Sequence, residues 1–146
     1  MHPRYGRAPA PGRRYIARPG AYAVLPRGGK VLLTLELDGD REVQLPGGGI
    51  EPGESPVRSL HREVFEETGW RIDRPRRIGL FRRFTFMPDY DIWAEKICHI
   101  YLAWPAMRLG PPTEPQHRPF WAARSKAASL VENAGDAAFL RRVLGS

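Results

Sequence analysis

The most constraining feature of this chain is a fixed spacing of glycine, acidic and basic residues across residues 48–70. The fixed positions are Gly48, Glu54, Arg62, Glu63, Glu66, Glu67, Gly69 and Trp70. Chance is a poor explanation for so many fixed positions, so the segment is expected to serve one local structure and one chemistry.

The middle of this segment carries the signals of an α-helix over residues 56–68. Ser55 is a good N-cap, Pro56 suits the first helical position, and Gly69 suits the left-handed residue that ends a helix. Helical spacing predicts a buried stripe made of Val57, Leu60, Val64 and Thr68. A different face carries Ser59, Glu63, Glu66 and Glu67. We expect the three glutamates to share one exposed edge.

That acidic edge is unfavourable for a helix by itself. Carboxylates three and four residues apart repel, and acids in a last turn oppose the helix dipole, each effect worth roughly a few tenths of a kcal/mol or more. A positive charge is therefore expected beside the glutamates. Clustered carboxylates suit hard divalent cations, which makes Mg²⁺ or Mn²⁺ the expected cofactor. The alternative is a solvated acidic face of a surface helix.

A glycine-rich loop over residues 45–50 precedes the helix. Its three successive glycines permit the positive φ angles and close backbone approach that a turn against a metal or phosphate requires. Arg62 lies one helical turn before Glu66 and within reach of Glu54. We therefore expect Arg62 to orient the loop against the helix through these carboxylates.

In this pattern the chain resembles the Nudix hydrolase family, strictly over 23 of its 146 residues. The resemblance implies an α/β fold, a Nudix-type α/β/α sandwich with a mixed β-sheet and a loop-helix-loop catalytic element. It also implies hydrolysis of a phosphoanhydride in a nucleoside diphosphate linked to another group. Water would attack phosphorus while divalent metals neutralise the developing charge.

Matched residue by residue, the resemblance implies four metal ligands: the side chains of Glu63, Glu66 and Glu67 and the backbone carbonyl of Gly47. The other catalytic candidates of the segment are Arg62 and Glu54. Trp70 departs from the family pattern, which usually has an aliphatic residue there. It still fills a core position, so the departure concerns packing more than activity.

The position of the catalytic base differs among family members, and many add a carboxylate from a loop outside this segment. Glu114 is the only acid between Glu95 and Glu132, and it lies in a proline-rich turn before a predicted strand at residues 120–121. It is our candidate for a further catalytic carboxylate, against the alternative of a solvated loop glutamate. Weaker candidates are Asp89, Asp91 and Glu95.

Runs of apolar and β-branched residues predict strands on both sides of the helix. The strands before it are residues 21–25, 30–36 and 43–45. The strands after it are residues 78–86 and 93–103. Turn residues at 26–29 and 87–90 predict that the flanking strands pair as hairpins. A closing helix is expected over residues 136–144.

The chain has the size of one domain, with 146 residues of which 42% are apolar. We expect a flexible arm at residues 1–18 and a single Nudix hydrolase domain over residues 19–146. The single cysteine, Cys98, excludes an intramolecular disulfide and suits a reducing cytosol. No apolar run approaches a membrane span and no signal core is present, so we expect a cytoplasmic protein without a membrane partner.

Much of the basic charge lies in the expected arm. Of the net charge of +7, five come from Arg4, Arg7, Arg13, Arg14 and Arg18, and no acid precedes Glu36. Nucleic-acid attraction and exchange between subunits are two interpretations of the arm. We favour a solubilising tail, because no recognised nucleic-acid fold accompanies it. The oligomeric state stays open between monomer and homodimer.

Arginines and aromatic residues after the helix offer candidate contacts for phosphates and for a base. They are Arg71, Arg74, Arg76, Arg77, Arg82, Arg83, Phe84, Phe86, Tyr90 and Trp93. Packing on the sheet explains most of them equally well. In a regular strand Arg82 and Arg83 point to opposite faces, so at most one reaches the site. None of the four histidines has zinc-site spacing, including His117 in its proline-rich segment.

Two classes of function follow from the sequence. The first is a metal-dependent pyrophosphohydrolase that acts on a small nucleotide, which the complete set of glutamates favours. The second is a regulatory Nudix domain that binds nucleotide or RNA with weak or no turnover. A variant of the first is an enzyme that trims RNA 5′ ends. The sequence assigns no specific substrate, since the downstream residues Pro88 and Tyr90 match no subfamily marker cleanly.

Overall fold

The computed structural model describes residues 2–39 and 41–145. Met1, in the expected arm, and Asp40 and Ser146, in the expected domain, lie outside the described residues. The elements are β1 (Ile16–Val24), β2 (Pro26–Arg27), β3 (Lys30–Glu36), β4 (Val43–Gln44), β5 (Gly47–Gly49), α1 (Pro56–Thr68), β6 (Trp70–Met87), β7 (Ile92–Arg108), β8 (His117–Ala123), α2 (Ala127–Leu130) and α3 (Ala134–Leu144).

The strands form two four-stranded sheets. The first has the order β5-β1-β7-β6, in which β1 runs parallel to β7 and the other neighbours are antiparallel. In the second sheet β3 pairs with β2, β4 and β8, all antiparallel. This mixture of parallel and antiparallel pairs confirms the expected α/β fold with a mixed sheet.

Two buried clusters lie on the two faces of the first sheet. Helix α1 contributes Leu60 to one cluster, and α3 contributes Phe139 to the other. Ile100 and Tyr101, adjacent in β7, belong to different clusters because successive strand residues point to opposite faces. The sheet is therefore covered by α1 on one side and by α3 on the other, which is the expected sandwich.

The prediction of the first hairpin is wrong, because its two predicted strands do not pair with each other. Strand β3 pairs across the turn at residues 28–29 with the two-residue strand β2, whereas β1 joins the other sheet between β5 and β7. The change of sheet occurs at Leu25, which is fully buried and whose carbonyl accepts a hydrogen bond from Leu32 N at 3.0 Å. The apolar residues of both predicted strands are buried, so their sequence pattern does not show where the chain changes sheet.

The second predicted hairpin is confirmed and is longer than expected. Strand β6 has 18 residues, β7 has 17, and Met87 pairs with Ile92 beside the turn. The register of the pair shifts at three places between Arg71 and Gly79. The charged residues of this stretch lack the apolar alternation that would have predicted a strand.

The N-terminal segment lies along the free edge of β6. Tyr5 N donates to the carbonyl of Arg82 at 3.0 Å, and Arg82 N donates to the carbonyl of Pro3 at 2.9 Å. The Arg13 guanidinium lies 3.8 Å from the centre of the Trp93 ring. Strand β1 begins inside the range expected for the arm. The flexibility of the remaining segment stays a prediction.

Three smaller features complete the fold. The closing helix begins at Ala134, two residues before the predicted start, because the Asn133 side chain caps it by accepting from Asp136 N at 2.7 Å. Trp70 is partly buried and meets Trp121 edge-to-face, with 5.5 Å between ring centres. Within the described residues, no helix has the length and apolar character needed to cross a bilayer.

Candidate metal and phosphate site

Helix α1 begins and ends at the predicted residues. The Ser55 hydroxyl accepts a hydrogen bond from Arg58 N at 3.2 Å. At the other end Gly69 has a φ of 76°, and its N–H donates to the carbonyl of Phe65 at 2.8 Å. A side chain at Gly69 would also collide with the carbonyl of Gly110, so this position requires glycine for two separate reasons.

The predicted apolar stripe of α1 is correct except in the first turn. Leu60 and Val64 are fully buried, and Thr68 is 1% exposed. Val57 is 38% exposed, so its predicted burial is wrong. The first turn extends beyond the cluster that buries Leu60 and Val64.

The expected exposure of the acidic edge is wrong for Glu67, which is only 3% exposed because it faces the glycine strand β5 instead of solvent. Ser59, on the same face of the helix, is fully buried. Glu67 Oε1 accepts a hydrogen bond from Gly47 N at 3.1 Å. The Ser59 hydroxyl donates to the carbonyl of Gly49 at the same distance. The glycine loop and the acidic helix therefore form one joined unit.

Close packing explains the glycine at position 48. A Cβ atom there would collide with the carboxylate of Glu63. The backbone N–H and C=O of the neighbouring Gly47 point away from β1. Strand β1 is hydrogen-bonded instead to the carbonyl of Pro46 and to the amide of Ile50. The backbone of Gly47 therefore faces α1, where we expect its carbonyl to ligate metal.

Arg62 connects three carboxylates and the loop. Its guanidinium makes a two-point contact with Glu54 at 2.8 and 2.9 Å, and Nη1 reaches Glu63 at 2.9 Å and Glu66 at 3.0 Å. Nη2 also donates to the carbonyl of Gly49 at 3.2 Å. The hydrogen bonds from Arg62 lower the pKa of Glu54 to about 2. The contacts with Glu54 and Glu66 are those that the spacing predicted.

The loop that carries Glu114 is attached to the end of α1. Thr113 N and Glu114 N donate to the backbone carbonyl of Glu66 at 2.9 and 3.0 Å. Carbonyls in the last turn of a helix lack helical partners, so this one is available to hold a loop. One oxygen each from Glu63, Glu66 and Glu114 lie within 4.8 Å of one another. The structure thus brings the predicted loop carboxylate to the predicted helix edge.

His117 also reaches the site, although its sequence pattern did not predict this position. Its Nε2 lies 3.5 Å from Glu67 Oε2 and 3.7 Å from Glu114 Oε2. Its side chain is 9% exposed, and its buried Nδ1 has no hydrogen-bond partner among the described residues. The signal available in the sequence was its position three residues after Glu114, beside a predicted strand.

Burial dominates the electrostatics of these groups. It raises the pKa of Glu67 well above its usual value and raises the pKa of Glu63 and Glu114, with neighbouring carboxylates adding to the effect. Burial lowers the pKa of His117, which favours the neutral imidazole. Several carboxylates beside one neutral imidazole are a suitable donor set for a divalent cation, which would offset their repulsion.

A cleft of about 840 Å³ adjoins this cluster, and Glu63, Glu67 and His117 line it. Arg83 also lines the cleft, whereas Arg82 pairs with Glu95 at 2.9 Å and is not among the lining residues. The predicted opposite orientation of the two arginines is confirmed. The other lining residues that offer charge or an aromatic ring are Arg18, Tyr22, Glu36, Asp38, Glu42, Glu51, Phe86, Asp89, Tyr90 and Lys96.

The weaker candidates for the base lie outside the acidic cluster. Glu95 is paired with Arg82, and Asp91 lies in the hairpin turn with a φ of 51°. Asp89 lines the cleft but belongs to neither of the donor groups described above. Among the candidates for the base, Glu114 is therefore the one that the fold brings next to the glutamates of the helix.

Comparison with known proteins identifies one matching family and several relatives. The family model of the NUDIX domain matches residues 16–143. An ADP-ribose pyrophosphatase of Bacillus subtilis is 33% identical over 96 residues, which cover 62% of this chain and 49% of that protein. An RNA pyrophosphohydrolase of Pectobacterium atrosepticum is 54% identical over 33 residues, covering 23% of this chain and 19% of that protein. The chain thus spans half or less of these relatives' length.

Similarity to solved structures extends over most of the chain. The crystal structure of a MutT protein from Bacillus halodurans superposes with a TM-score of 0.71 and 26% sequence identity. The superposition covers 88% of this chain and 83% of that chain. The likeness therefore extends far beyond the 23-residue motif itself.

Proposed function

This chain belongs to the NUDIX family, and we propose that it uses a divalent metal to hydrolyse a phosphoanhydride in a nucleoside diphosphate linked to another group. The observation that carries the proposal is the meeting of four carboxylates beside one cleft, three from α1 and Glu114 from the loop before β8. The cleft volume of about 840 Å³ lies within the range of small-ligand sites.

The proposed metal ligands are the carboxylates of Glu63, Glu66 and Glu67 and the carbonyl of Gly47. When bound, Mg²⁺ or Mn²⁺ would neutralise charge on the phosphates and polarise the phosphoryl oxygens. The backbone N–H of Gly47 holds Glu67 Oε1 at 3.1 Å, which orients the carboxylate that is most deeply buried. Arg62 holds Glu54, Glu63 and Glu66 together and thereby positions the loop on the helix.

Glu114 is the proposed general base. Gln116 Nε2 donates to Glu114 Oε2 at 2.9 Å, which orients the carboxylate that would take a proton from the attacking water. The raised pKa of Glu114, caused by burial and by neighbouring Glu66, makes this carboxylate a stronger base than an ordinary surface glutamate.

The walls of the cleft suit the remainder of a nucleotide. Arg83 and Lys96 supply positive charge for phosphate oxygens, and Phe86 and Tyr90 offer aromatic faces for a base. The Arg18 guanidinium lies 4.4 Å from the centre of the Tyr90 ring. We propose a small nucleotide as the substrate class and the cytoplasm as the location, as monomer or homodimer.

A second candidate is hydrolysis at the 5′ end of RNA. One observation favours it: Arg18, from the basic N-terminal region, lines the same cleft. An RNA chain leaving the cleft along this region would meet additional positive charge. A regulatory domain without turnover is the third candidate, and the complete set of glutamates argues against it.

The test is a substrate panel with Mg²⁺ or Mn²⁺. The panel contains ADP-ribose, nucleoside triphosphates, dinucleoside polyphosphates and 5′-triphosphorylated RNA. It is applied to the wild type, to Glu67→Gln and to Glu132→Gln as the matched control. Glu132 is exposed and does not line the cleft.

Metal-dependent turnover that is lost in Glu67→Gln and kept in Glu132→Gln would support the enzyme. Absence of glutamate-dependent turnover on every substrate would refute it. Deletion of residues 1–14, which stops before β1, separates the two substrate classes. Loss of RNA turnover alone would favour the RNA 5′ end, whereas equal retention on all substrates favours the small nucleotide.

A further inference from the structure

The acidic cluster contains two donor sets of different chemistry. Glu63, Glu66 and Glu114 offer oxygen alone, whereas Glu67 and Glu114 meet the imidazole of His117. Glu114 adjoins both sets and keeps its role as the proposed general base, so the carboxylate ligand of the second position is Glu67. We propose that His117 is a nitrogen ligand in the second set, and that this position selects Mn²⁺ or a later transition-metal ion over Mg²⁺.

The separations between donor atoms carry the proposal. His117 Nε2 lies 3.5 Å from Glu67 Oε2 and 3.7 Å from Glu114 Oε2. Hydrogen bonds between nitrogen and oxygen are shorter, at about 2.7 to 3.2 Å. Donors that surround one divalent ion at about 2.1 Å are separated by about 3.0 to 3.4 Å. The separation of His117 Nε2 and Glu67 Oε2 is therefore longer than a hydrogen bond and about 0.1 Å beyond the upper end of the range for two ligands of one ion.

Burial of the imidazole supports the same assignment. Its side chain is only 9% exposed, and Nδ1 is buried without a hydrogen-bond partner among the described residues. Nε2, the nitrogen that faces Glu67, has no carboxylate oxygen nearer than 3.5 Å, which leaves its lone pair available to a metal. The position of the histidine at the first residue of β8 fixes the backbone, because His117 pairs with Glu36 of β3. The imidazole is thus held toward Glu67 by a strand.

The choice of ion follows from the donor types. Mg²⁺ prefers carboxylate and water oxygens, whereas imidazole nitrogen suits zinc, nickel, copper and iron, and affinity rises from manganese along the series. One position made of oxygen alone and one position with nitrogen would give the site two metals of unequal preference.

The inference rests on the proposed function, because it assumes that the acidic cluster holds metal. The direct test is pulsed electron paramagnetic resonance of the full-length protein loaded with Mn²⁺, which detects coupling to a ligand nitrogen. Isothermal calorimetry with Mn²⁺ and with Mg²⁺ gives the affinities. The variants are His117→Gln and, as the matched control, His61→Gln, which changes an exposed histidine of α1.

We expect nitrogen coupling in the wild type and in His61→Gln, and its loss in His117→Gln. The Mn²⁺ affinity of His117→Gln should fall by about tenfold or more, while its Mg²⁺ affinity changes far less. If His117→Gln does not fold, wild-type protein with isotope-labelled histidine reports the same coupling through an altered nitrogen signal.

Mn²⁺ binding without nitrogen coupling would overturn the inference and leave metal-dependent hydrolysis standing. Coupling that persists in folded His117→Gln would overturn it equally. Failure of the wild type to bind Mn²⁺ or Mg²⁺ would overturn both the inference and the proposed function.

Discussion

The backbone amide of Glu114 donates to the backbone carbonyl of Glu66 at 3.0 Å. This contact joins the loop that carries one carboxylate to the helix turn that carries two others. The adjacent amide of Thr113 donates to the same carbonyl at 2.9 Å. Because the attachment uses backbone atoms, it does not depend on the charge state of any carboxylate in the site.

Glu67→Gln should abolish metal-dependent hydrolysis without unfolding the protein. Activity is expected to fall by at least about a hundredfold, as for loss of other groups that stabilise transition-state charge. The glutamine oxygen can still accept the bond from Gly47 N, and a buried carboxylate is removed. Thermal unfolding in metal-free buffer should therefore show no loss of stability. Activity similar to that of Glu132→Gln would contradict the assignment.

Gly48→Ala should damage the site, whereas Gly49→Ala should not. A Cβ at Gly48 would displace the Glu63 carboxylate, but a Cβ at Gly49 has no neighbour within 4 Å. We expect metal affinity to fall by about tenfold or more in Gly48→Ala only. Calorimetric titration with Mn²⁺ measures both variants. Equal affinities in the two would show that Glu63 does not hold metal in this position.

Arg62→Lys should release Glu54 from the loop. Lysine cannot reproduce the two-point contact of the guanidinium, so the pKa of Glu54 should rise from about 2 toward the ordinary value of a glutamate. A carbon-detected NMR titration of the Glu54 carboxyl measures this rise. Arg58→Lys, from an exposed position on the same helix, is the control and should leave the titration unchanged. An unchanged pKa of Glu54 in Arg62→Lys would refute the predicted role of Arg62.

Asp136→Asn should change how stability depends on pH. Burial raises the pKa of Asp136 from 3.8 to about 6, although its carboxylate accepts a bond from Leu45 N at 3.1 Å. The folded protein thus favours the protonated form of Asp136. The contribution of this preference to the free energy of unfolding is fully present below pH 4 and is lost as pH rises through 6. The full difference corresponds to about 3 kcal/mol.

The asparagine variant has no such titration. Its free energy of unfolding should therefore rise relative to that of the wild type between pH 4 and pH 8, as measured by urea unfolding at several pH values. The usual pKa of 3.8 and the folded pKa of about 6 define the window in which the curves separate. A difference that stays constant across this window would show that Asp136 titrates normally.

Deletion of residues 1–14 should increase self-association. Pro3 and Tyr5 pair with Arg82 and cover part of the outer edge of β6, which then becomes available to another chain. Light scattering over a range of protein concentrations measures the change. A second variant, Tyr5→Pro, removes one of these backbone donors while keeping the arginines. Association in the deletion alone would assign the effect to lost charge and contradict edge protection.

Much of α1 was predictable because its information is local. The cap at Ser55, the end at Gly69 and the buried positions Leu60 and Val64 depend on residues within a few turns of each other. The pairing of Arg62 with Glu66 is likewise a contact across one helical turn. These features need no knowledge of the rest of the fold.

The burial of Glu67 and the position of His117 were not predictable in this way. Glu67 is buried because the glycine strand β5 lies over it, 20 residues away in sequence. His117 reaches the cluster because β8 pairs with β3 and the preceding loop is bound to the end of α1. Both depend on long-range pairing, which a local pattern of residues does not contain.

The irregular first half of β6 has a consequence for changes in chain length. Its three register shifts lie between Arg71 and Gly79, so the pairing of residues 80–87 is set by the hairpin turn instead. One residue inserted between Arg83 and the turn would rotate Arg83 out of the cleft and bring Arg82 in. A residue inserted between Arg71 and Gly79 would instead be accommodated by the register shifts of that stretch. A change in chain length near the helix is thus tolerated by the fold, whereas the hairpin tip requires a fixed number of residues to keep Arg83 in the cleft.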